Sequence, residues 1–114
     1  MNIGYKVVRR LDDEYRPVTY GAYQGIKYTL DQVTVQDKDK FGPMTVFNSL
    51  ILAQQFANDM SHLPGITVFK VKYDPSEEDM LWKTERTTRQ TFSLDYCYPG
   101  TVLASSVELE EIVS

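Results

Sequence analysis

Apolar and polar positions alternate along most of this chain, and one stretch alone switches to a helical period. Ala53, Phe56, Ala57 and Met60 fall at i, i+3, i+4 and i+7, while Gln54, Gln55, Asn58 and Asp59 take the other side. That is the stripe of an amphipathic helix. Asn48 and Ser49 precede it as N-cap types, and Pro64-Gly65 stops it, because the residue before a proline avoids helical backbone. The spacing predicts one main helix, over about residues 48–61.

The rest reads as strand and turn. Tyr5 to Leu11 alternates and closes on the turn Asp12-Asp13-Glu14; Val18 to Gln24 alternates until Gly25. Lys27 to Val35 is a weaker pair of short strands around Asp31-Gln32, and Met44 to Phe47 follows the break at Gly42-Pro43. Ile66 to Tyr73 is the strongest pattern, with Thr67, Phe69, Val71 and Tyr73 on one face and Lys70 and Lys72 on the other. Met80 to Lys83, Thr91 to Leu94, and Thr101 to Ala104 running into Val107 to Ile112 complete the set, with the polar stretch Thr84 to Gln90 expected as an exposed loop. One helix among six to eight short strands predicts an α+β fold. The expected form is a curved, mainly antiparallel sheet with the helix packed on one face, in a single domain over residues 1–114.

Composition supports a folded domain. A chain of 114 residues buries roughly two-thirds of its unfolded surface, and 42% hydrophobic with 25% charged residues is ordinary globular usage. One cysteine cannot form an internal disulfide, the N-terminus lacks a signal-peptide pattern, and no apolar run approaches a membrane span. The expectation is a soluble cytoplasmic protein. Residues 1–30 carry a net charge of +2, residues 91–114 a net of −4, and the whole chain −4. That balance disfavours generic nucleic-acid binding, which needs a cationic surface.

Catalytic side chains are few. His62 is the single histidine and stands where a helix C-terminus favours a cation, so capping accounts for it. Cys97, the single cysteine, sits between tyrosines with no neighbouring cation to activate it. One His and one Cys cannot make a zinc site, and no acidic cluster has calcium-loop spacing, so no cofactor or metal is expected. Glu108 and Glu110 fall on one face of a strand, where two like charges need solvent, a cation or a function. Lys83, Arg86 and Arg89 recur every three residues and suit phosphate or an acidic partner. Eight tyrosines, Tyr20 and Tyr23 among them, suit contact surfaces.

Three segments carry a resemblance. They are Tyr5-Lys6-Val7-Val8-Arg9; Val46-Phe47-Asn48-Ser49-Leu50 with Ala53, Phe56 and Ala57; and Gly100 to Val107. Together they resemble short proteins of bacteriophages and prophages. The resemblance implies a compact α+β fold in a viral or mobile-element setting, in host cytoplasm. It also implies action by binding, either to a host protein as an inhibitor or to a small nucleotide-like ligand. The alternative is an enzyme similar to ADP-ribosyltransferases, many of which use a first-strand Arg to hold NAD and a Glu-x-Glu strand end for chemistry. Arg9 or Arg10 with Glu108 or Glu110 follow that order, although the chain has no first-strand His and no central Ser-Thr-Ser motif. A structural homo-oligomer with a buried tyrosine face is the second alternative.

Overall fold

The long alternating runs become long strands, and their pairing closes on itself. The computed structural model describes residues 1–18, 25–85, 88–93 and 97–114, with backbone alone at 83–85, 88–90 and 92. Its elements are β1 (Asn2–Leu11), β2 (Glu14–Pro17), β3 (Val33–Val35), β4 (Met44–Phe47), α1 (Leu50–Asp59), β5 (Ile66–Pro75), β6 (Leu81–Glu85), β7 (Thr88–Phe92) and β8 (Thr101–Ile112). β1 pairs with β5, β5 with β8, β8 with β4, and β4 returns to β1, every pair antiparallel. Those four strands form a closed barrel, and β2 and β3 add to the free edges of β1 and β8. β6 and β7 form a separate two-stranded hairpin.

The expected α+β arrangement, a curved, mainly antiparallel sheet with the helix packed on one face, is thereby corrected. The protein is mostly β, with one short helix outside a barrel. Two local features allow so small a circuit to close. Register shifts between Lys70 and Val71 and between Asp74 and Pro75 leave extra residues on β8, and such bulges tighten strand coiling. Gly4 stands next to Tyr5, the residue opposite Phe47. A Cβ on Gly4 would lie 2.9 Å from both the Phe47 carbonyl and the Tyr73 ring, so only glycine admits β4 this closely.

Alternation sorts the side chains. Val8, Met44, Val46, Phe69, Val71, Tyr73, Ala104, Val107 and Leu109 fill the barrel, joined by Ile26, Tyr28 and Phe41 from the connections. Val7, Phe47 and Val68 point outward and meet Ala53 and Phe56 of α1. The helix is shorter than the spacing predicted. Ser49 is its N-cap, with φ −138° and a hydroxyl that accepts from the Leu52 N–H, and Met60 is its C-cap. Of Thr84 to Gln90, expected as a loop, Thr84 and Glu85 instead lie in β6 and Thr88 to Gln90 in β7, and residues 86 and 87 lie outside the described residues. That hairpin is anchored by the buried Trp82, whose carbonyl accepts from the Gly42 N–H at 3.0 Å and whose indole N–H donates to Glu78 at 3.1 Å.

Candidate functional site

The barrel wall is thinnest where β1 and β8 face each other across β4. β4 meets β1 only at Tyr5, and from Val8 onward β1 pairs with β2 instead. A seam is left beside Lys6 and Val7, and the Lys6 side chain fills it. Lys6 shares the inward face of Val8 and is 6% exposed. Its ammonium donates to the Thr45 carbonyl at 2.5 Å and to the Thr45 hydroxyl at 3.1 Å, standing in for a strand donor that β1 does not offer there. The Tyr28 ring lies 5.5 Å below the charge, a cation–π distance. Among the described residues no carboxylate comes within ion-pair range of it. Burial without an acid disfavours the charged form and lowers the Lys6 pKa to about 7. The same burial pushes the Tyr28 phenol up.

At the other end of the seam lies β3. Val33 is opposite Glu108, Thr34 opposite Val107 and Val35 opposite Ser106. The Gln36 N–H donates to the Ser105 carbonyl at 2.9 Å. Antiparallel pairs alternate in which residues bond across the ladder, so Thr34 bonds to β8 while Val33 and Val35 aim their backbone groups outward. No described residue pairs with that outer edge. Val33 is 49% exposed, Val35 65% and the preceding Leu30 44%. Sheet edges are ordinarily guarded by charge, proline or a bulge. The Val-Thr-Val of β3 carries no such guard.

The charged residues singled out from sequence lie elsewhere, and apart. Arg9 stands opposite Ile66 on β5, and Lys72 of β5 stands opposite Glu108. Six residues of strand separate those levels, roughly 20 Å, so Arg9 shares no cleft with Glu108 or Glu110. The Arg9 side chain donates to the Pro64 carbonyl at 3.3 Å. Arg10 donates to the Asp12 carbonyl at 3.3 Å and lies 3.9 Å from Asp13. Lys72 holds Glu110 at 3.0 Å, and that hydrogen bond raises the Lys72 pKa. The like-charge pair thus has its cation, and Glu108 makes no ion pair with a described residue.

His62 is exposed, and backbone bonds from Met60, Ser61 and Leu63 close the helix end in place of an imidazole cap. Cys97 is half-buried, and burial pushes its thiol up, away from the reactive thiolate. Tyr20, Tyr23 and Arg86 lie outside the described residues, and Lys83 and Arg89 are described only as backbone in β6 and β7. Sequence reasoning marks neither Lys6 nor the edge of β3 as functional. The signal for Lys6 was its parity with Val8 in a strand apolar on both faces; nothing in the sequence marked β3 as an edge.

A surface groove of about 450 Å³ lies between the end of α1, the 61–65 turn and the start of β5. Asn58, Ser61, Leu63 and Ile66 are among its walls, and the lining includes no Lys or Arg to hold a phosphate. Among the described residues no cluster of three or more His, Cys, Asp or Glu could hold a metal ion. No helix among them is long and apolar enough to cross a membrane. Comparison with protein-family models, curated proteins and solved structures finds no match.

Proposed function

We propose that this protein acts by binding, taking an extended segment of a partner protein as an added strand along β3. In the phage-type setting that the resemblance implies, the partner is a host protein and the binding is inhibitory or accessory. The observation that carries the reading is the β3 edge itself: two half-exposed valines whose backbone groups point away from β8, unpaired by any described residue. Strand addition uses such an edge, main-chain hydrogen bonds supplying affinity and alternate side chains specificity. A host protein is favoured over a nucleotide-like ligand because the Val-Thr-Val edge offers backbone hydrogen bonds to a chain and no cation to a phosphate. The ADP-ribosyltransferase-like alternative loses its support with the separation of Arg9 from Glu108.

Amide hydrogen exchange tests this directly. A panel of extended peptides with alternating apolar residues is expected to include members that slow exchange at Val33 and Val35, with Thr34 already protected by β8. Val35→Pro removes one outward N–H from a position not used by β8, and proline is tolerated on a solvent-facing edge. It is expected to keep the fold by circular dichroism and to abolish the protection. A panel that leaves both valine amides unprotected at millimolar concentration refutes strand addition.

A further inference from the structure

Building on the strand-addition reading, we infer that the segment received by β3 is cationic, with the order apolar, any residue, basic. The geometry of the edge sets the order. In an antiparallel added strand, the residues directly opposite Val33 and Val35 share their outward face. Along that face the row through Val33 continues to Glu108 on β8, and the row through Val35 continues to Ser106.

A residue opposite Val33 is therefore two strands, roughly 10 Å, from Glu108. An Arg or Lys spans that gap by laying its methylene stem over the Val33 methyls and placing its charge at the carboxylate, as long basic side chains commonly do. Lys72 attracts Glu108 across the row but is hydrogen-bonded to Glu110 at 3.0 Å, so the Glu108 oxygens remain open to an incoming donor. At Val35 the neighbour in the row is a serine hydroxyl already donated to Asp74 at 2.8 Å, so that position takes an apolar side chain against the 65% exposed valine. Asp31, exposed just before β3, adds negative charge at the same end. Because the added strand runs antiparallel, the residue facing Val35 comes first and the basic residue follows two positions later.

A second copy of this chain is the weaker occupant. β3 is three residues long, and pairing two such strands buries far less than the roughly 1,200 Å² of a stable dimer. It would also set Val-Thr-Val against itself, bringing no further cation to Glu108.

The test uses the full chain and two capped octapeptides identical except at one position, with central Val-Thr-Arg or Val-Thr-Glu. Binding is followed by exchange protection at Val33 and Val35 and by titration. The Arg peptide is expected to bind about five- to tenfold more tightly, from one attractive and one repulsive cross-strand charge pair. Raising salt to about 0.5 M narrows the gap, and Glu108→Gln narrows it similarly, while Glu111→Gln, whose carboxylate faces Lys70 at 3.8 Å and leaves the Lys72–Glu110 pair intact, does not. Equal binding of both peptides with both valine amides protected overturns the cationic partner and leaves strand addition standing. If neither peptide protects those amides, strand addition itself fails. Protection that appears without peptide and grows with protein concentration identifies a second copy instead and overturns the proposal.

Discussion

At the residue scale the decisive side chain is Lys6. It is buried in the barrel wall, bonded to Thr45 and without an acid among the described residues, and its pKa sits near 7. In the unfolded chain a lysine titrates at about 10.4. Above pH 7 the unfolded state therefore keeps a proton that the folded state has released, and stability rises with pH. Between pH 7 and about 8.5 the gain from Lys6 is about 2 kcal/mol. Urea unfolding across that window checks it. Lys6→Met is expected to flatten the rise, whatever its effect at a single pH, because the Thr45 carbonyl then loses its donor. An unchanged slope in the variant assigns the titration to another group. Gly65 is the second residue on which the fold turns. Its φ is +79°, and an added Cβ would collide with the Arg10 carbonyl. Gly65→Ala is expected to cost more than about 2 kcal/mol, read as a lowered denaturation midpoint.

At the element scale, local pattern served where an element buries one face against the rest and failed where it does not. The period-2 run from Ile66 to Tyr73 became β5, and the 3.6-residue stripe became α1. Ser49 was visible as a cap because its chemistry is local: its hydroxyl accepts from the Leu52 N–H at 3.4 Å. That bond is long, so Ser49→Ala is expected to cost only about 0.5–1 kcal/mol, measured by thermal unfolding. Thr84 to Gln90 read as a loop because this polar stretch has no apolar alternation, while backbone pairing alone places Thr84, Glu85 and Thr88 to Gln90 in the hairpin. β3 was a weak strand prediction and is a real strand. Its status as an edge depends on which strands reach β8, and that depends on residues 71 to 75 positions away in the chain.

At the scale of the whole molecule, closure changes how the parts share stability. Each of β1, β5, β8 and β4 is hydrogen-bonded on both sides to another barrel strand, so none opens without the others. The β6–β7 hairpin lies outside that circuit. Native-state hydrogen exchange is expected to show amides of β5 and β8 opening only with global unfolding, and those of β6 and β7 at lower free energy. Equal opening energies throughout would place the hairpin inside the cooperative unit. The sequence by itself determined a single β-rich chain with one amphipathic helix, a poor stock of catalytic side chains and an acidic balance, because periodicity and composition are local sums. Tertiary structure alone decided that the sheet closes, that Lys6 is sealed into its seam and that Arg9 and Glu108 stand apart. It also decided that β3 has an edge with which no described residue pairs. These depend on bulges, on a contact only Gly4 permits and on strand register, and a shift of one residue in register would turn each of those side chains to the opposite face.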